Sequence, residues 1–167
     1  CDKKLGAGVS FPAGEGASNR RCQLASGKRY IDNTEPDRTE AFECIAQVGV
    51  GGDTLAAEAM VKALEGPGPC NDGFLREDAL LVVTLIQDTY DVDSAGTVDS
   101  WITALRAAKA DDDDAFALLV LTTDVDLGFH QLCKPDEYLT EKNRYEPFFA
   151  ETVATLVELC DNFVVPG

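Results

Sequence analysis

The chain is short of positive charge, of histidine and of closely spaced cysteines, and each shortage removes a class of function. Fourteen Lys and Arg stand against 30 Asp and Glu, a formal net charge of −16. Nucleic acids and anionic membrane surfaces are held by clustered basic residues, so neither is an expected partner. The single histidine, His130 in Gly128-Phe129-His130, reads as a solvated loop residue. A Cys–His nucleophilic site with nearby Cys133 would need both side chains in hydrogen-bond reach and a thiolate-prone cysteine. No two cysteines are spaced Cys-x-x-Cys, which leaves zinc ribbons and thioredoxin-like redox motifs unsupported. No Gly-x-Ser-x-Gly, P-loop or Rossmann glycine pattern occurs. The longest apolar run, Ala79 to Ile86, is less than half of what a membrane span needs, so no membrane insertion is expected. The chain opens Cys1-Asp2-Lys3-Lys4 with no apolar h-region behind it, so no signal peptide is read from these residues.

What is present is a globular composition. A length of 167 residues and 45% hydrophobic content fit one domain with a real core. The acid excess fits a solvated surface and is compatible with cation binding. Cys1, Cys22, Cys44, Cys70, Cys133 and Cys160 are even in number and widely spread. That pattern predicts disulfides and an oxidising, extracytoplasmic compartment: secreted, periplasmic or cell-surface. Spacing alone does not fix the pairing; Cys1–Cys22 is expected to close the loop-rich start, and Cys133–Cys160 to tie a loop to the last helix.

Residues 1–38 are glycine-rich and weakly periodic, a disulfide-linked loop segment with one short strand expected at Lys28–Ile31. The α/β part is expected over 39–167. Ala41-Phe42-x-Cys44-Ile45-Ala46 predicts a short helix ending at Gly49. A clearer helix follows Gly51-Gly52-Asp53-Thr54, with Asp53 as its cap; Leu55, Ala56, Ala59, Met60, Ala63 and Leu64 share a face, and Gly66-Pro67 stops it. Leu80–Ile86 reads as a strand buried on both faces. A helix is predicted from Thr97 to Lys109 with Val98, Trp101, Ile102, Leu105 and Ala108 inward. Asp111–Asp114 is a turn and Ala115–Leu121 a second strand. A long loop, 122–143, precedes a last helix burying Phe149, Val153, Leu156, Val157 and Cys160. Alternating strands and helices predict an α/β fold, a mainly parallel sheet flanked by helices with right-handed crossovers.

The stretch Asn71-Asp72-Gly73-Phe74-Leu75-Arg76-Glu77-Asp78-Ala79, the apolar strand after it, and the acidic loop from Gln87-Asp88 resemble von Willebrand factor A (vWA) domains of the extracytoplasmic bacterial, myxobacterial-like kind. The resemblance covers residues 40–165. It implies a doubly wound, Rossmann-like sheet and a single vWA-like domain over 1–167. It also implies a central strand ending in Asp-x-Ser-x-Ser, which this sequence lacks, so the first part of that fold would be missing or supplied as a separate chain. Members use a metal-ion-dependent adhesion site, in which three strand-end loops hold a hard cation by hydroxyl, carboxylate and water oxygens. Thr54 resembles the second-loop threonine of that site and Asp88 the third-loop aspartate; Asp91 is a further candidate. Mg²⁺ or Ca²⁺ is the implied ion, and a protein or cell-surface ligand the implied partner.

The acidic loop admits other chemistries, and most fail on spacing. An EF-hand beginning at Asp91 would place Gly96 correctly, but Ala95 and Ile102 fall where oxygen ligands are needed. A phosphotransferase of the Asp-x-Asp-x-Thr kind would need Thr where Ala95 stands, and Asp91-Val92-Asp93 begins too far beyond the strand. The expectation is therefore a non-enzymatic, adhesion-type binding domain. Its rivals are a structural scaffold of a cell-surface assembly whose metal site is degenerate, and a metal-dependent phosphotransferase or hydrolase.

Overall fold

Thr97 and Ser100 start the best-defined helix. The Ser100 N–H donates to Thr97 Oγ1 at 3.3 Å and the Thr97 N–H donates to Ser100 Oγ at 2.9 Å, a reciprocal cap that satisfies two otherwise orphaned groups. In the computed structural model of the chain, the described residues are 1–66, 68–87 and 91–122, with the backbone of 154–158. They form α1 (Arg38–Ala46), α2 (Ala56–Glu65), β1 (Leu81–Ile86), α3 (Val98–Ala108), β2 (Phe116–Thr122) and β3 (Ala154–Glu158). This is a mixed α/β architecture. Its three-stranded sheet has the order β1-β2-β3, with both pairings parallel.

Two compact units divide the chain: residues 1–53 with 62–76, and residues 54–61 with 77–167. In the second, α3 buries Trp101, Ile102 and Leu105, and the strands bury Leu85, Phe116, Leu118 and Val120. The apolar spacing of α3 and the Val/Leu-rich strands thus build the core that their sequence patterns predict. Lys109 follows α3 and is itself buried. Its ammonium donates to the carbonyls of Glu77 at 3.0 Å and Ala79 at 2.6 Å, fastening the start of β1 to the end of the helix.

The first unit is built of turns. Helix α1 is capped by Asp37, whose carboxylate accepts the Glu40 N–H at 2.9 Å, and it buries only Cys44 while Phe42 stays exposed. Among the described residues of this unit the sole bridge between extended segments is Ala17 with Val48. Two disulfides hold it, Cys1–Cys70 and Cys22–Cys44. Asn71, beside the first, accepts the Gly8 N–H at 3.0 Å and donates to the Gly6 carbonyl at 2.8 Å, clamping the opening loop from both sides.

Several expectations need correction. Cys1 pairs with Cys70, not Cys22, because the opening loop runs beside the 68–71 turn; Cys22 instead meets Cys44 on α1. Cys133 and Cys160 lie outside the described residues. Lys28–Ile31 is bent rather than extended, since Arg29 turns inward to Gly8, Ser10 and Asp2 while Lys28 pairs with Asp32. The last expected helix contains a strand, β3, because Ala154–Glu158 finds an open edge of β2 and adds to it in register. Finally, β1 is not buried on both faces: Leu85 is buried, but Val82 and Ile86 are 60% and 68% exposed.

Candidate functional site

The first turn of α2 has no cap in its own sequence, and residues 91–95 supply one from afar. Helix N-termini leave several N–H groups without partners. The Ala57 N–H donates to Asp91 Oδ2 at 2.8 Å and the Glu58 N–H to Ser94 Oγ at 2.9 Å. Asp53, the expected cap, does neither; the helix begins beyond it at Ala56. The exchange runs both ways, since the Ala95 N–H donates to Glu58 Oε2 at 2.9 Å.

Asp91 is the centre of this junction. Its side chain is 2% exposed, and besides Ala57 it accepts the Ser94 hydroxyl at 2.7 Å and the Ser94 N–H at 3.0 Å. A carboxylate oxygen that accepts from a first-turn N–H suits the positive end of a helix. Both of its oxygens face the protein's own donors, so its evident work is to hold α2 and the acidic loop together.

Thr54 stands at the rim. Its N–H and its hydroxyl both donate to Asp93 Oδ2, at 2.8 and 3.0 Å, and its hydroxyl accepts the Val92 N–H at 3.2 Å. Thr54 and Asp91, two of the three expected site residues, are therefore brought to one junction. Asp88 lies outside the described residues. The spacing argument missed Asp93, Ser94 and Glu58. The local Asp91–Ser94 turn is legible as an Asp followed three residues on by Ser, but its partner helix, 34 residues upstream of Asp91 at Ala57, is not.

Trp101 and Gly96 fix the far side of the loop. The indole N–H donates to the Ala95 carbonyl at 3.1 Å. Gly96 has φ +87°, and a Cβ there would come within 2.7 Å of Ser100 Oγ, so only glycine lets the chain pass from the acidic loop into the α3 cap.

The donor set suits a hard cation only in part. Thr54 Oγ1 and Asp93 Oδ2 are two adjacent oxygens of the kind Mg²⁺ or Ca²⁺ takes, whereas either ion wants six or more in all. Among the described residues no group of three or more His, Cys, Asp or Glu is disposed to hold a metal ion.

The first unit carries a separate cleft of about 270 Å³, lined by Arg20, Arg21, Leu24, Glu35, Asp37 and the Cys22–Cys44 bridge. Its carboxylates serve the backbone, Glu35 accepting the Ala25 N–H at 2.7 Å and Asp37 capping α1. The shifted carboxylates of this unit lie elsewhere. Asp2 is lowered from 3.8 to about 2, first by the Ser10 N–H, with Arg29 and the Ser10 hydroxyl adding to it and desolvation opposing. Asp32 is also lowered to about 2, by the Thr34 hydroxyl first and then by Lys28 and the Thr34 N–H. Asp32 in turn raises Lys28. These are loop-fastening groups.

Comparison with protein-family models, with curated proteins and with solved structures returns no match for this chain.

Proposed function

We propose that the chain is an extracytoplasmic binding domain of the vWA type, with a doubly wound sheet and no enzymatic activity of its own. It would meet a protein or cell-surface ligand at the face where the acidic loop joins the start of α2. The observation that carries this reading is the Thr54–Asp93 contact, which joins a neutral hydroxyl and a carboxylate at the rim of the junction. Support comes also from the phrase Asn71–Ala79 ahead of an apolar strand, and, for the compartment, from two disulfides. With two oxygens in place and Asp88 as the third candidate, divalent cation binding should be weak.

A second reading has its own support. Asp91 and Ser94 are fully engaged in capping α2, as expected of a structural scaffold whose metal site is degenerate. Calorimetry with Mg²⁺, Mn²⁺ and Ca²⁺ separates the two. Binding to the native chain that is lost in Asp88→Ala and weakened in Asp93→Ala supports the adhesion-type site. No heat with any of the three ions supports the scaffold. Cation-dependent hydrolysis of p-nitrophenyl phosphate, abolished by Asp91→Ala in a chain that still folds, would replace both readings with a phosphotransferase.

A further inference from the structure

Asp72-Gly73 is the one Asp-Gly pair in the sequence, and no Asn-Gly pair occurs. An aspartate followed by glycine is open to attack on its own side chain, because the next amide nitrogen can reach the carboxyl carbon and no Cβ crowds that nitrogen. A folded chain blocks the reaction by engaging the amide in a hydrogen bond, and three other aspartates here show that block. The Ser94 N–H after Asp93 donates to Asp91 Oδ1 at 3.0 Å, and the Ser100 N–H after Asp99 donates to Thr97 Oγ1 at 3.3 Å. The Thr54 N–H after Asp53 donates to Asp93 Oδ2 at 2.8 Å.

Asp72 and Gly73 escape it. Both are exposed, and among the described residues neither the Asp72 carboxylate nor the Gly73 N–H has a hydrogen-bond or ion-pair partner. The turn is held on either side of them instead. The Phe74 N–H donates to the Asn71 carbonyl at 2.9 Å, and the Tyr30 hydroxyl donates to the Asp72 carbonyl at 3.1 Å. Tyr30 also meets Phe74 edge to face, with ring centroids 5.5 Å apart. Gly73 has φ +74°, and a Cβ there would stand 3.1 Å from the Tyr30 hydroxyl, so the turn favours glycine and its nitrogen stays uncrowded.

We propose that Asp72 is a site of spontaneous isoaspartate formation, and that the change loosens the turn against Tyr30. The Gly73 nitrogen attacks Cγ of the protonated Asp72 carboxyl. The N–Cγ bond forms, the Cγ–OH bond breaks, and the hydroxyl leaves with the amide proton as water. Water then adds to the five-membered succinimide. Addition at Cγ restores aspartate; addition at the former main-chain carbonyl breaks that carbonyl's bond to nitrogen and sends the chain through Cγ. Mass and oxidation state are unchanged, and water is the only co-reactant. The product carries an extra methylene in the main chain between Asn71 and Gly73, and the carbonyl that Tyr30 holds becomes a carboxylate. The Asn71–Phe74 turn then has one main-chain atom too many to close as before. The Cys1–Cys70 bridge and the Asn71 clamp on Gly6 and Gly8 lie on the other side of the change. This site depends neither on the vWA reading nor on a cation.

The test ages the full chain at physiological temperature and neutral pH. Isoaspartate is read with an isoaspartyl O-methyltransferase and labelled S-adenosylmethionine, and is located by peptide mapping. Methyl incorporation is expected to rise with time, to map to Asp72, and to be lost in Asp72→Glu, which keeps the charge but closes a six-membered ring poorly. Hydrogen exchange at the Phe74 amide should quicken in the aged chain, while the Gly8 amide, held by Asn71, keeps its protection. A linear peptide spanning 68–76 with Cys70→Ser serves as the unfolded reference. Isomerisation in that peptide with none at Asp72 in the full chain means that the fold shields the site, and overturns the proposal. Incorporation that maps to Asp93 or Asp99, or that survives Asp72→Glu, overturns it as well. An isomerised chain whose Phe74 amide exchanges no faster overturns the loosening.

Discussion

The two units reach order by different means. Residues 54–61 and 77–122 are organised by apolar burial: Trp101, Ile102, Leu105, Phe116, Leu118 and Val120 all lie in one unit with a parallel sheet. Residues 1–53 and 62–76 bury little beyond Pro12, Leu24 and the half-cystines Cys22, Cys44 and Cys70, yet hold a defined path through turns, side-chain clamps and two bridges. A stretch with too few apolar residues to offset its chain entropy can still be ordered when covalent links restrict the unfolded chain. The difference shows that a fold's periodic part and its stapled part answer to different perturbations.

Reduction separates them most sharply. By loop-closure entropy, Cys1–Cys70 is worth about 4 kcal/mol and Cys22–Cys44 about 3 kcal/mol. Serine at all four positions should abolish hydrogen-exchange protection in the first unit while Leu105 and Val120 keep theirs; equal loss in both units would erase the distinction. The converse change is Trp101→Ala, which should destabilise the second unit by about 4 kcal/mol in urea and also free the Ala95 carbonyl. Asp91→Ala should cost about 2 kcal/mol by orphaning the Ala57 N–H and the Ser94 hydroxyl, with fraying confined to the first turn of α2. Asp91→Asn should recover part of that loss, which backbone amide shifts of Ala57 and Glu58 would report.

The smallest effect is one of pH. Asp2 and Asp32 have carboxyls lowered in the folded chain from 3.8 to about 2, so their stabilisation is full above 3.8 and is lost as pH falls from there towards 2. Both groups are substantially solvated, so the effect should be modest and screened by salt. Exchange at the Ser10 and Thr34 amides should rise across that window while α3 is unchanged. A rise starting near neutral pH would point to another group.

The periodic unit was largely legible in its residues. Thr97 at the start of an apolar-periodic run announces α3, and the Val/Leu runs announce β1 and β2. The segment around Leu156 and Val157 reads as helix from its residues although a short apolar run fits helix and strand alike; the edge of β2 decides for strand, and an edge is not a local property. The exposure of Val82 and Ile86 was invisible for the same reason. In the stapled unit, cysteine number predicts bridges but not partners. At the candidate site, the family resemblance singles out Thr54 and the acidic loop, whereas the cap that Asp91 and Ser94 give to α2 spans too much chain to be read from either end.

The Cys1–Cys70 bridge has a mechanical consequence. Tension applied at residue 1 passes through the sulfur atoms to residue 70 and bypasses everything between them, α1 and α2 included. With a sequence separation of 69, about 230 Å of contour at roughly 3.4 Å per residue is locked away from stretching. Single-molecule pulling from residue 1 should show that length released only after a reductant is added. A protease cut within the loop should leave both pieces joined and still bearing load.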